Sequence, residues 1–454
     1  MDSVLETLHL MIWGPWTLIL FLAVGLWFTI CSGAFQIIGI RRWMNETIGT
    51  FWRGEEQLPK DGNPNHITPF QTACTALAAT IGTGNIVGVA TALTAGGPGA
   101  LFWMWISALI GMITAYVETA LGQQYRFRGP DGRWVCGPMI YMERGLGLPW
   151  LGVLYAVLVV LSSMGMGSMV QSNAISGTLF YSAGLPEWVS GFFVTVLAAS
   201  VILGGIERIA KVSERLIPLS AGIYILFSLA VILSCYEILP AVFRMVFQQA
   251  FSFRSATGGI AGFAMTRCLR YGLSRGVFSN EAGLGSLAVL HGAAERTSAE
   301  EQGMWAMFEV FFDTIVVCTM TALVILCITY TTGVPPRYDG AALTAWCFSQ
   351  RIGEVGEWLV SAAMTVFAFA TIIAWYYLGK QTAEYLLTKL CQRMSIQKLL
   401  ICLYTGLYLA AVFAGCICRL EVVWQISDIW NGLMAFPNLF ALMLLGKQVK
   451  YPHR

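Results

Sequence analysis

The sequence predicts an all-α integral membrane protein of about eleven transmembrane helices, on three observations. The chain of 454 residues is 57% hydrophobic and only 11% charged, whereas soluble proteins carry about 25% charged residues. Eleven stretches reach the roughly 20 mostly apolar residues that a bilayer-crossing helix needs. Aromatic residues make up 13%, with 16 Trp, which suits rings seated at the two membrane–water interfaces.

The spans fall at 12–40, 70–95, 100–125, 149–181, 187–204, 214–236, 257–291, 302–332, 356–388, 397–418 and 424–446. Several exceed the bilayer's requirement and imply tilt or extension beyond it. The first is a membrane helix, not a cleavable signal: Asp2 and Glu6 stand where a signal would be positive, and its apolar stretch is too long. Segment 257–291 reads either as one broken helix or as a re-entrant piece plus a helix. The connection at roughly 41–69 is polar and short, so it reads as a lipid-surface link, and the whole of 1–454 as one transmembrane domain.

Lys and Arg orient the spans. With the N-terminus outside, nineteen of the 27 basic residues fall in cytoplasmic connections, among them Arg41, Arg42, Arg126, Arg128, Arg133, Lys389 and Lys450. Outside connections hold only Arg244, Arg254, Arg337, Arg351 and Arg419, and three more lie inside the seventh segment. The expectation is a multi-pass protein of the cell's inner or plasma membrane, N-terminus outside and C-terminus cytoplasmic.

Composition also excludes function classes. A net charge of +2 gives no reason to expect nucleic acid. The twelve Cys are irregularly spaced, mostly within apolar stretches, and Cys416/Cys418 is too isolated for a metal site. The four His make no cluster. With no G-x-S-x-G, P-loop or His–carboxylate constellation, nothing points to an enzyme or a bound cofactor.

Two spans depart from monotonous apolar helix. The second contains Ala79-Thr-Ile-Gly-Thr-Gly-Asn-Ile-Val-Gly88, and the seventh contains Phe278-Ser-Asn-Glu-Ala-Gly-Leu-Gly-Ser286. Unwound backbone survives in hydrocarbon only where its N–H and C=O groups find partners or line a cavity. A broken helix presents N–H groups and a positive dipole end to an anion, and carbonyls to a cation. Glycine-rich helices also arise from close helix packing. Breaks in corresponding positions of two halves, however, are the sequence mark of a transporter site. These two lie five spans apart, which makes 12–40 an extra helix, 70–236 one repeat and 257–446 a second, inverted because five is odd.

At these residues the chain resembles the alanine or glycine:cation symporter family, the sodium:alanine symporters. The resemblance rests on Thr75–Ala90, Gly96-Gly-Pro-Gly-Ala-Leu-Phe-Trp-Met-Trp105, Arg275–Ser286 and Asp313-Thr314. It extends over nearly the whole chain. It implies the leucine-transporter fold of the amino acid–polyamine–organocation superfamily, with one helix before the repeats. The chain departs from the family at Cys136-Gly-Pro-Met-Ile-Tyr141 and Leu219-Ser220, both expected to lie away from the pocket.

A zwitterionic amino acid needs N–H groups for its carboxylate, and Thr83 and Gly84 are the candidates. The resemblance implies Phe278 and Trp375 as walls leaving room for a Gly- or Ala-sized side chain. Gln171 and Asn173 either bond substrate or bond across helices. For Na⁺, the resemblance implies carbonyls near Gly82 together with the Thr371 hydroxyl. Carboxylates inside a membrane are functional candidates by default: Glu118, expected to snorkel to the cytoplasmic side; Glu281, either a ligand or paired with Arg275 or Arg270; and Asp313.

The expected activity is symport of Na⁺ with a small neutral amino acid, alanine or glycine, by alternating access. An H⁺-coupled carrier, with Glu281 or Glu118 bearing the proton, and an amino-acid sensor or channel on the same scaffold are the alternatives. Na⁺, the amino acid and the lipid bilayer are the expected partners. Stoichiometry, L or D preference and oligomeric state are not legible in the sequence.

Overall fold

The computed structural model describes residues 7–8, 11–52, 67–129, 132–251, 260–295, 297–333, 338–391, 393–418 and 420–452. Among these, the spans are α1 (Pro15–Cys31), α2a (Pro69–Thr80) with α2b (Gly84–Gly96), α3 (Ala100–Tyr125), α4 (Pro149–Ala183), α5 (Glu187–Ile202), α6 (Gly205–Leu233), α7a (Ile260–Asn280) with α7b (Ser286–His291), α8 (Ala299–Thr332), α9 (Glu354–Leu390), α10 (Met394–Ile417) and α11 (Leu420–Leu445). Seven of these helices are long and apolar enough to cross a membrane, eight with the bent α2 pair, and α1 and α5 are shorter apolar helices. The order agrees with eleven spans. Ends moved where polar residues continue a helix past the bilayer: α6 begins at Gly205 rather than 214, carrying Glu207, Arg208 and Lys211.

Local chemistry starts the helices. Thr68 caps α2a in a reciprocal capping box with Gln71, with Pro69 at the first helical position. Ser298 accepts from the Glu301 N–H at the start of α8. Trp16, Trp150, Trp188 and Trp358 lie exposed near the beginnings of α1, α4, α5 and α9, as an interfacial belt requires.

Lipid supplies no hydrophobic drive between helices, so close packing and side-chain hydrogen bonds hold the bundle. One group forms where α3 packs on α7a, α7b and α8, with α2a against α7b and α8. A second joins α4 to α9 and α10, and α5 to α10. α6 and α10 expose most of their surface, whereas α3, α8, α9 and α11 are mostly enclosed.

Alternation places the 3–4, 5–6, 7–8 and 9–10 connections on one side, and ion pairs join them. Arg133 meets Glu207 and Arg128 meets Glu295, each at 3.0 Å, and Lys389 meets Glu143 at 2.5 Å. A short hairpin, β1 (Phe127–Arg128) paired antiparallel with β2 (Trp134–Val135), projects there. The 41–69 link is not merely a surface strand of polar chain. Ile40–Glu46 is helical and buries Trp43, whose ring meets Phe311 edge-on at 5.5 Å. Residues 53–66 of that link, with Arg53, Glu55, Glu56, Lys60 and Asp61, lie outside the described residues, as do Arg254, Arg296, Arg337, Arg419 and Arg454 of the charge pattern.

Candidate transport site

The first break opens after Thr80. Ile81 is extended (φ −77°, ψ 92°), and the chain resumes at Gly84–Gly88 as a π-helical turn; α2a and α2b are bent by 48°. Side chains satisfy the freed backbone. The Gly82 N–H donates to Asn85 Oδ1 (3.0 Å) and the Thr83 N–H to Gln171 Oε1 (3.2 Å). Thr371 Oγ1 donates to Phe367 O (3.1 Å) and lies 3.4 Å from Ile81 O. A methyl group on Gly82 would stand 2.5 Å from Thr371 Oγ1 and 3.0 Å from Gln171 Oε1, so three chain segments converge here. The Thr83 hydroxyl is buried with no hydrogen-bond partner among the described residues.

The second break spans residues 281–285. Glu281 (φ 56°), Gly283 (φ 86°) and Gly285 (φ 87°) are left-handed, a region that costs a non-glycine residue roughly 1–2 kcal/mol. Glu281 is held there by both carboxylate oxygens. Trp375 Nε1 donates to Oε1 (2.9 Å) and Ser286 Oγ to Oε2 (2.6 Å). The backbone N–H groups of Gly283 and Gly285 donate to Glu118 Oε2 (3.2 and 3.1 Å). Asn438 Nδ2 donates to the same oxygen (3.0 Å) and to Gly283 O (2.9 Å), Tyr155 OH donates to Leu284 O (3.0 Å), and Tyr141 OH donates to Asn438 Oδ1. Every one of these groups is buried.

The two breaks touch. A methyl group on Gly84 would fall 3.0 Å from Ser279 Cα, so any side chain there would press the two backbones apart. Asp313 sits at the junction, on the π-helical stretch Phe311–Cys318 of α8. Its carboxylate accepts from Asn85 Nδ2 (2.6 Å), Ser279 Oγ (2.8 Å) and Thr314 Oγ1 (2.8 Å). Among the described residues no Lys, Arg or His pairs with it, so a fully buried acid between the breaks is met by neutral donors alone. π-Helical turns of this kind are frequent at functional sites.

The structure therefore gathers Gly82, Thr83, Gly84, Gln171 and Thr371 at the first break, Glu118, Glu281 and Trp375 at the second, and Asp313 between them. Phe278 borders the second break but stacks on Trp424 (5.2 Å). Asn173 takes the second of its two expected roles, a cross-helix tie, donating to Gly415 O (2.7 Å) and Cys418 O (2.8 Å). Other expectations are corrected. Glu281 has no arginine partner among the described residues: Arg275 pairs with Asp428 (3.3 Å) and lies over the Phe278 and Trp424 rings. Glu118 does not snorkel, because the unwound backbone needs its oxygen inside. Nor does the 136–141 stretch lie away from the site. A methyl group on Gly285 would strike Pro138, and Tyr141 bonds Asn438.

Sequence reasoning assigned no role to Asn85, Ser279, Tyr155 or Asn438. Asn85 and Ser279 stood within the two interrupted motifs, and Asn438 beside Pro437 was a polar residue deep in an apolar span. Those were the available signals.

Two broken helices set against each other inside a bundle of this order define a secondary transporter of the leucine-transporter type. Residues 1–452 match the sodium:alanine symporter family, and the chain belongs to that family. It is 39% identical over 452 residues to an uncharacterized transporter of Haemophilus influenzae, covering 99% of this chain and 94% of that one. It is 38% identical over 450 residues to the sodium/alanine symporter AgcS of Methanococcus maripaludis, covering 98% and 94%. The solved structure of a Na⁺-coupled sialic acid symporter in a substrate-bound outward-open state aligns with a TM-score of 0.57, covering 98% of this chain and 87% of that one. At 15% identity that likeness shows the fold alone.

Proposed function

We propose that the chain is a Na⁺-coupled symporter that takes up a small neutral amino acid, alanine or glycine, by alternating access. The apposition of the two breaks carries this reading. It puts N–H groups at Thr83 and Gly84, carbonyl oxygen at Ile81 and the Thr371 hydroxyl within one small region. The substrate carboxylate takes the first break's N–H groups, and Gln171 releases the Thr83 N–H to it. Na⁺ takes neutral oxygens at Ile81, Gly82 and Thr371. Asp313 supplies the negative charge that a cation or the substrate ammonium needs nearby. Trp375 and Phe278 limit the side chain, and the relative named as a sodium/alanine symporter supports a substrate of that size.

In this reading α2–α6 and α7–α11 are inverted repeats, and the two packed groups move against each other. The N-terminus is outside and the C-terminus cytoplasmic, in the cell membrane. The test is uptake of labelled alanine and glycine into proteoliposomes under separately imposed Na⁺ and pH gradients. Uptake that follows the Na⁺ gradient and persists when the proton gradient is collapsed is expected. Uptake that ignores Na⁺ and tracks pH overturns the Na⁺ assignment. Binding without concentrative uptake overturns symport.

A further inference from the structure

A second buried ionisable pair lies outside this site. His291 ends α7b, and its Nε2 lies 3.0 Å from Glu309 Oε1 of α8. Both side chains are completely buried; the two atoms stand at ion-pair distance, and neither His291 Nε2 nor either Glu309 oxygen has an aligned hydrogen-bond partner among the described residues. The other ring nitrogen, Nδ1, is 2.7 Å from Gln302 Oε1.

The neighbouring bonds count the protons. The Thr297 hydroxyl donates to the Glu301 carboxylate (2.8 Å), so Thr297 Oγ1 accepts from Gln302 Nε2 (3.1 Å). That turns Gln302 Oε1, an acceptor only, toward His291, and Nδ1 must therefore carry hydrogen. The Nε2–Oε1 contact then needs one proton of its own. With it, the pair is either imidazolium with carboxylate or neutral imidazole with carboxylic acid, and both attract. Without it, a lone pair faces a carboxylate at 3.0 Å and the contact repels.

We propose that His291 and Glu309 form a proton-binding site whose single proton clamps α7b to α8, so that releasing the proton frees this half-helix. The position gives the clamp leverage. α7b is only six residues long and follows a break with left-handed Glu281, Gly283 and Gly285, so tertiary contacts alone hold it. Gln123 donates to His291 O (2.6 Å), and Arg126 donates to Gly292 O and Ala294 O (3.1 and 2.6 Å). The Glu295 N–H donates to Ile67 O (3.1 Å), tying the same end to the entry of α2a.

The other ionisable groups on packed elements are known. Cys74 of α2a lies within electrostatic reach of both Glu214 of α6 and Glu309. α3 contributes Tyr116, Glu118 and Tyr125, with Arg126 just past its end; α8 contributes Glu300, Glu301 and Asp313; the helix at 40–46 contributes Arg41, Arg42 and Glu46; α9 contributes Tyr377; and the break contributes Glu281. The clamp's use in alternating access rests on the symporter reading, but its existence does not.

Cys136 reports the clamp directly. Its thiol is buried beneath α7b, donating to Ala288 O (3.0 Å). The purified full-length chain in detergent is alkylated with N-ethylmaleimide between pH 6 and 9.5, and Cys136 is read by site-resolved mass spectrometry. Glu309→Gln serves as reference at each pH, because its amide donates to Nε2 without a titrating proton. Dividing by it also cancels the thiol's own titration. The ratio of parent to E309Q should be near one at pH 6 and then climb by up to about tenfold per pH unit, the limit for release of one proton. A ratio that stays flat across the range overturns the proposal. His291→Asn removes the proton's acceptor and should already show at pH 6 the ratio to E309Q that the parent reaches only at high pH. Protection equal to the parent's in H291N also overturns it. Neither measurement uses transport, so a failed clamp and a failed symporter assignment are told apart.

Discussion

Glu118 offers the sharpest test of how the second break is held. Its Oε2 accepts from the Gly283 and Gly285 N–H groups and from Asn438, while its Oε1 has no partner among the described residues. Glu118→Ala removes the acceptor. Asn438 keeps its bond to Gly283 O, so two backbone donors are orphaned. Each buried unsatisfied donor costs about 1–3 kcal/mol, about 2–6 kcal/mol together. With tenfold per about 1.4 kcal/mol, the ordered break loses population by at least about thirtyfold. Glu118→Gln keeps an acceptor oxygen in the same place for both backbone N–H groups and should cost less than E118A. Na⁺-driven alanine uptake in proteoliposomes and the thermal midpoint in detergent should both fall in the order parent, E118Q, E118A. Two results refute the reasoning. An E118A protein as active and stable as the parent would mean the break does not need this oxygen. An E118Q protein as impaired as E118A would mean that charge matters and the acceptor role does not.

Further expectations follow from the same geometry. Trp375→Phe deletes the indole donor to Glu281 and should lower the thermal midpoint, through a loss of about 0.5–3 kcal/mol of stability. Trp375→Ala, in contrast, should lower alanine and glycine uptake while raising the relative uptake of methionine or leucine; equal losses for all substrates would make Trp375 packing only. Thr371→Ala should raise the Na⁺ concentration for half-maximal uptake more than it raises the alanine KM; the reverse split would remove Thr371 from the cation site. Gly82→Ala places a methyl group 2.5 Å from Thr371 Oγ1 and should abolish uptake, with partial rescue by Thr371→Ala; normal uptake in G82A would show that nothing is bound tightly there. A cysteine replacing Asp339, in a background cleared of the exposed Cys31, Cys402 and Cys418, should react with impermeant maleimide from outside intact cells; labelling only from inside would invert the assigned orientation.

How the site is wired was only partly legible. The breaks were readable because Gly82-Thr83-Gly84-Asn85 and Asn280–Gly285 put glycine and polar residues where an apolar helix wants neither. Their partners were not. Glu118 and Gly283 are far apart in sequence, as are Trp375 and Glu281, and periodicity carries no information about which helix faces which. Arginine six or eleven residues from Glu281 looked like its counter-ion by sequence distance. α11 instead brings Asp428 to Arg275, and α9 brings an indole to Glu281.

What the sequence by itself determined is the class of structure. The hydrocarbon layer accepts only apolar segments with every backbone group satisfied, so composition and length dictate spanning helices, and the glycine-rich interruptions dictate where backbone must seek side chains. What only the tertiary structure decided is which side chains answer. Glu118 serves the Gly283 and Gly285 N–H groups, Asn85 and Ser279 hold Asp313, and His291 meets Glu309. These pairings depend on helix rotation and close approach, settled where small residues such as Gly84 let two backbones touch.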